Sequence, residues 1–400
     1  MHPIKTPSSS LNQLIFVLLF SVFCIVTFRQ PLFALLYDII RFEQTSNIFH
    51  NYTKISMSLA FIMLLVTLIL KNIQLKHSDH IYIFMGFIFI IYNMIYFDFR
   101  ALVNSIFYFL GVYLFYGHSN FYNIFHKLFI FTSLFVAFEI LIEYIIFDGS
   151  QIGLDISVFG TYKEYITRFN PDNTNAGLVI GRFYRLDGIF GNHQLTGSYL
   201  AVSSAYIFGY ISNTKYIYAF IINFIALILT MSTISLISFL ISVLFFSLLT
   251  LNKKKLMVLF VLLIIIYNNQ LVNMMANRLL FNAHNENYMN SFLFSDKGEI
   301  FDFIFGFNNG KNFENDLIEL LYFYGIIPTL FLMFRYIHPI ISFRKLLFRD
   351  SKFTSCSLAV VSGLITLAHA GGIIGWHIGL HFLFMSSILL NYSKQVHIYK

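Results

Sequence analysis

The sequence predicts an all-α fold: a polytopic integral membrane bundle of about twelve transmembrane helices, with two large loops on its outer side. Three observations predict it. Hydrophobic residues make up 58% of the 400 residues and charged residues only 11%, against about 25% charged in an ordinary soluble domain. A chain so poor in charge cannot cover its own surface with polar groups. Apolar runs of about 18 residues or more recur along the chain, and that length spans a hydrocarbon core as a helix. The runs are continuous rather than alternating, which favours helices over a barrel. The whole chain, 1–400, reads as one membrane domain.

The elements follow in order. Met1–Ser10 is a short polar start. Leu11–Phe28 is the first span; no small-residue cleavage site follows it, so it reads as a retained helix rather than a signal peptide. Arg29–Lys54 is a mixed outer segment. Ile55–Leu70, His80–Phe97 and Ala101–Tyr116 are the next three spans, with a basic loop at Lys71–Asp79. Gly117–Lys127 is a polar turn and Leu128–Phe147 the fifth span. Asp148–Asn192 is the first large loop, in which Asn170-Pro171-Asp172-Asn173 signals a turn. His193–Ile211, Tyr216–Thr230 and Ser232–Thr250 are spans six to eight. Leu256–Tyr267 is a short ninth, and Asn268–Phe313 the second large loop. Leu317–Phe334 is the tenth span, Arg335–Lys352 a basic connection, and Phe353–Ala370 and Ile373–Leu390 the last two. Cys24 and Cys356 both fall inside spans, which argues against a disulfide framework.

Lys and Arg set the orientation. Lys253–Lys255 and the Arg335–Lys352 segment are inner anchors, so both termini are expected in the cytoplasm and the loops 148–192 and 268–313 outside. The isoelectric point near 9.1 then reflects topology. It points to anionic membrane lipid on the inner face and away from nucleic acid. No phosphate loop of the GxxxxGK type is present, and the outer side of a membrane holds no ATP.

The residues that could carry chemistry gather in the two loops. Arg182 and Arg185, just before the sixth span, can each bind a phosphate bidentately without losing charge; the plainer reading is a pair of interfacial anchors. Gly188, Gly191 and Gly197 favour the first reading, because they permit turns and close approach that a helix start does not need. The second loop contributes Arg278 and His284, then Glu314 and Asp316 at the mouth of the tenth span. These two carboxylates either cap a helix or, partly desolvated, act as a general base. Glu139 and Glu143 lie one turn apart in the fifth span, where embedded acids face the interior or a cavity. Asp187, His193 and Glu143 are further candidate substrate contacts. His377 and His381 have metal-compatible spacing but no companion carboxylate or thiol, so no metal is expected.

Three segments resemble one known family. Arg185-Leu-Asp-Gly188-Ile-Phe190 resembles the R-x-x-G-x-F element of the O-antigen polymerase and O-antigen ligase superfamily. Leu229-Thr-Met-Ser232-Thr233-Ile-Ser235 resembles its T-x-S-R segment, with Thr233 where arginine is common. Ile304-Phe-Gly306, Glu314-Asn-Asp316 and Gly325-Ile326 resemble its closing motif, with Glu314 where ligases typically carry histidine. The resemblance covers about Arg182 to Pro328 and the overall plan. It implies a bacterial inner-membrane glycosyltransferase that uses undecaprenyl-diphosphate-linked oligosaccharide, inverts at the anomeric carbon and needs no cofactor or metal. It also implies a partner protein that regulates chain length. Polymerisation of repeat units for O-antigen or a related surface polysaccharide is the leading expectation. The alternatives are a ligase that moves polymer to lipid A core, which Glu314 disfavours, and a flippase or exporter, which would place its charges within the spans.

Overall fold

The computed structural model describes residues 13–14, 17, 21, 55, 59, 62, 77–96, 111–113, 122–147, 179–180, 183–184, 193–250, 257–258, 260–261, 321, 325–366 and 382–392. Apart from one pairing of two-residue strands, its regular structure is helical, and eight helices stand out: α1 (His77–Tyr96), α2 (Tyr122–Phe147), α3 (His193–Gly209), α4 (Lys215–Leu229), α5 (Thr233–Thr250), α6 (Ile326–Ser342), α7 (Ser351–Thr366) and α8 (Phe382–Tyr392). Val179–Ile180 pairs antiparallel with Phe183–Tyr184. The stretch Tyr122–Ile142 of α2 is the one described helix long and apolar enough to cross a membrane; parts of α1, α4, α5, α6 and α8 form shorter apolar helices.

The chain divides into two compact units, Met1–Phe115 and Tyr116–Lys400. In the first, α1 buries Tyr82, Phe89 and Ile90 and exposes Ile81, Phe84, Ile88 and Ile91. The buried set recurs at helical spacing, so α1 has one packed face and one open apolar face.

The second unit is built around α3. Thr196 to Gly209 is buried on every side, and α7, α4, α5 and α2 all pack against it. The residues explain why. Gly197, Ser198, Ala201, Ser203, Ser204, Ala205 and Gly209 keep the helix thin, and small residues let backbones approach closely. A Cβ on Gly209 would sit 2.5 Å from the Cα of Ser355 on α7 and would overlap the Ser355 hydroxyl. One on Gly197 would sit 2.5 Å from the Cβ of Ser232. The facing helix α7 is equally fine-grained, with Ser355, Cys356, Ser357, Ala359 and Ser362 all buried.

Buried hydroxyls find partners between helices. Thr132 on α2 bonds Tyr199 on α3 (2.9 Å), Ser203 on α3 donates to Asn223 on α4 (3.3 Å), and Ser238 on α5 meets Ser362 on α7 (3.4 Å). Aromatic rings close the periphery: Phe125 stacks on Phe384 of α8 (4.1 Å) and Tyr336 of α6 leans on Phe382 (4.8 Å).

α2 begins at Tyr122, inside the expected polar turn Gly117–Lys127 and ahead of the expected start at Leu128, while the bounds of α1, α3, α4 and α5 match the expected spans to within a few residues. The tenth span does not. Leu317–Phe334 reads as one span that holds a single acid, Glu319, but Gly325 stands at φ 77°, a left-handed conformation that starts a helix afresh. From there α6 runs to Ser342, well into the expected basic connection. Arg335 is carried on its buried face, and Pro339 lies inside it. A short 3-10 turn, Arg344–Phe348, then leads to Asp350, whose carboxylate accepts from the backbone N–H groups of Lys352 (2.9 Å) and Phe353 (3.3 Å) and caps α7. The expected first, second, fourth and ninth spans lie wholly or mostly outside the described residues.

Candidate functional site

Two places in the second unit concentrate polar groups, one at each end of α3. The first lies where α3 begins. His193 opens the helix and Gly197 sits one turn in. Directly against Gly197 is the turn between α4 and α5. Thr230 ends α4, Met231 stands at φ 51° and Ser232 leads into α5. A left-handed methionine costs about 1 kcal/mol or more relative to glycine. The surrounding contacts hold it: its N–H donates to the Ile228 carbonyl (3.0 Å), and the residue is buried. Ser232 and Ser235 bond each other at 2.7 Å, and Ser198 reaches Ser235 at 3.3 Å. The structure thus joins two stretches that sequence analysis singled out separately: the end of the glycine-bearing segment, and Leu229 to Ser235.

The other candidate residues are placed less fully. Glu143 lies near the end of α2, one turn beyond the buried Glu139. The short strand pairing flanks Gly181 and Arg182 in sequence and ends immediately before Arg185. Arg182, Arg185, Asp187, Arg278, His284, Glu314 and Asp316 lie outside the described residues, as do His377 and His381.

The second concentration lies at the opposite end of α3, and sequence analysis did not anticipate it. Tyr122 and His126 come from the start of α2, Tyr206 and Tyr210 from the end of α3, Tyr216 from the start of α4, and Lys352 from the start of α7. His126 bonds Tyr206 through Nδ1 (2.8 Å) and Tyr216 through Nε2 (2.9 Å). The Tyr122 hydroxyl bonds Tyr206 at 2.7 Å and also Tyr210. The Lys352 ammonium lies 3.5 Å from the centroid of the Tyr122 ring, with the Tyr392 ring at 5.7 Å, a cation–π arrangement. Burial lowers the pKa of Lys352, an effect opposed by Cys356 and Asp350. The signal for this cluster was the repeated i, i+4 spacing of polar-tipped rings, Tyr122/His126 and Tyr206/Tyr210, at the ends of consecutive helices. It was hidden among 25 tyrosines and 50 phenylalanines.

Comparison with known protein families, curated proteins and solved structures gives no match for this chain.

Proposed function

We propose that the protein is an inner-membrane glycosyltransferase that polymerises lipid-linked oligosaccharide repeat units, with about twelve spans and both termini cytoplasmic. The observation that carries this reading is the seat of Gly197 on Ser232. It brings the start of α3, the helix into which the R-x-x-G-x-F element runs in sequence, against the α4–α5 turn, which carries the second of the three resembling segments. The distribution of charge supports it as well: nine of the 19 acids lie in the loops 148–192 and 268–313, together with Arg182, Arg185 and Arg278, while the apolar runs hold few charges.

The chemistry follows from those residue types. An acceptor sugar hydroxyl attacks the anomeric carbon of the growing glycan. The bond from that carbon to the diphosphate oxygen breaks, its electron pair leaves with the diphosphate, and the configuration inverts. Arg182, Arg185 and Arg278 stabilise the departing negative charge, a role for fixed cations in a water-poor site. Glu314 or Asp316 takes the proton of the attacking hydroxyl, with His284 the next candidate. Asp187, His193 and Glu143 contact the glycan. A chain-length regulator is the partner protein this reading entails.

The test is a glycan ladder from a deletion strain complemented with wild type, Arg185→Ala or Glu314→Gln. A polymerase gives core plus a single repeat unit on deletion and with both variants. Bare core with polymer retained on the carrier lipid would mean a ligase. Absence of repeat units from the outer face would mean a flippase.

A further inference from the structure

The ring cluster at the α2–α4–α7 end contains a chain of hydrogen bonds that can be counted. Tyr216 meets Nε2 of His126, Nδ1 of His126 meets Tyr206, Tyr206 meets Tyr122, and Tyr122 meets Tyr210. Each hydroxyl carries one proton, and a neutral imidazole carries one N–H and one acceptor nitrogen. Five protons therefore serve four bonds. If Nε2 holds the imidazole proton, the chain runs from Tyr210 toward His126 and the Tyr216 hydroxyl has a donor to spare. If Nδ1 holds it, the chain runs the other way and the spare donor is on Tyr210. The surplus proton always falls at one terminus of the chain.

The two termini are neighbours. The Tyr210 and Tyr216 rings lie 5.2 Å apart, and both residues are only half-buried, whereas Tyr122 and Tyr206 in the middle are buried. The surplus donor thus sits on one of two adjacent, half-buried rings. The surroundings are cationic. Lys352 rests on the Tyr122 ring and forms no ion pair among the described residues. Lys127 and Lys215 are exposed on the adjoining helix starts. α4 begins here with partial positive charge, while Asp350 already caps α7 and the end of α3 beside Tyr210 carries partial negative charge, so the net positive charge is that of the three lysines. The acid nearby, Asp350, is engaged by the N–H groups of Lys352 and Phe353 and by the Tyr392 hydroxyl. A spare O–H donor on one of two adjacent tyrosine rings, with a lysine seated on Tyr122, the hydrogen-bond partner of Tyr210, is complementary to a phosphate oxygen.

We propose that Tyr210, Tyr216 and Lys352 form a phosphate-binding site at this end of the bundle, which takes either the headgroup phosphate of an anionic lipid or a free phosphate ion. The site is separate from the Gly197–Ser232 end and does not depend on the polymerase reading. On the orientation expected from sequence it faces the cytoplasm.

The test uses the full-length protein in neutral detergent. Its unfolding midpoint is measured against increasing inorganic phosphate and, separately, phosphatidic acid. Phosphatidylcholine, whose phosphate is masked by its own cation, serves as control. Wild type should show saturable stabilisation that phosphatidylcholine does not reproduce. The Tyr210→Phe/Tyr216→Phe double variant keeps both rings and loses both donors, and should bind about tenfold more weakly; Lys352→Gln should do the same. Tyr218→Phe, on the exposed face of α4, should match wild type. Stabilisation by inorganic phosphate marks a site open to soluble phosphate, and stabilisation by phosphatidic acid alone marks a lipid-headgroup site. The proposal is overturned if wild type responds to neither, a result that requires no variant. It is equally overturned if folded Lys352→Gln, or the folded double variant, binds as tightly as wild type; water would then satisfy the spare donor, and the cluster would serve only to clamp the helices.

Discussion

Gly209 is where a single atom matters most. A methyl group there would meet the Cα of Ser355 at 2.5 Å, and a neighbouring backbone cannot swing aside as a long side chain can. Gly209→Ala should therefore destabilise the protein by about 1–3 kcal/mol, the usual cost of overpacking, read as a lower unfolding midpoint in detergent. Gly197→Ala should cost less, because its obstacle is the side chain of Ser232. Equal midpoints for the two would mean that α7 can slide away from α3. Tyr122 tests a different kind of contact. Its hydroxyl is shared by Tyr206 and Tyr210, so Tyr122→Phe leaves two hydroxyls short of a partner and should cost about 1–3 kcal/mol. Tyr218→Phe is the comparison, since that residue is exposed.

At the scale of helices, the ends are held by specific devices. Asp350 caps α7 through two backbone bonds. Asp350→Ala should lose about 1 kcal/mol, while Asp350→Asn, which keeps a capping oxygen, should lose less; thermal unfolding of the two variants decides it. How much of this was legible in sequence differed by element. The bounds of α3 to α5 and the end of α2 could be read because their apolar runs end at polar or turn-forming residues such as Asp148, Ser212 to Lys215 and Asn252; the start of α2 could not, because Tyr122 to Lys127 is polar enough to read as a turn. The start of α6 could not. Its apolar run is unbroken across Gly325, and only the backbone at φ 77° marks where the helix begins. The ring cluster was illegible for another reason. Its partners are separated by 80 to 90 residues, so the local i, i+4 pairs Tyr122/His126 and Tyr206/Tyr210 do not tell which rings meet. The Gly197–Ser232 contact lay between these cases: both segments stood out separately, but their meeting is a fact of packing.

At the scale of the whole molecule, the prediction concerns charge held in loops rather than in the bundle. Arg185→Ala should abolish polymer while the protein still inserts. Arg185→Lys should also be poor, since a point charge does not reproduce the guanidinium fork. Glu314→Gln should lose far more activity than Glu143→Gln. A glycan ladder, with protein level followed in the same membranes, measures all four, and the reverse order of the two glutamates would move the base into α2. Arg185 and Glu314 were found from residue type and motif, and that remains the ground for them.

The contact between Gly209 and Ser355 also bears on how the chain is made. The most extensive neighbour of α3 is α7, which the ribosome completes only after another hundred-odd residues of α4, α5, α6 and their connections have emerged. Until then the face of α3 around Gly209 has no partner helix. A chain cut short before Asp350 would carry that small-residue face uncovered, a feature that cellular quality control can read. Premature stop codons late in the gene should therefore remove the protein altogether rather than leave a shortened, working one.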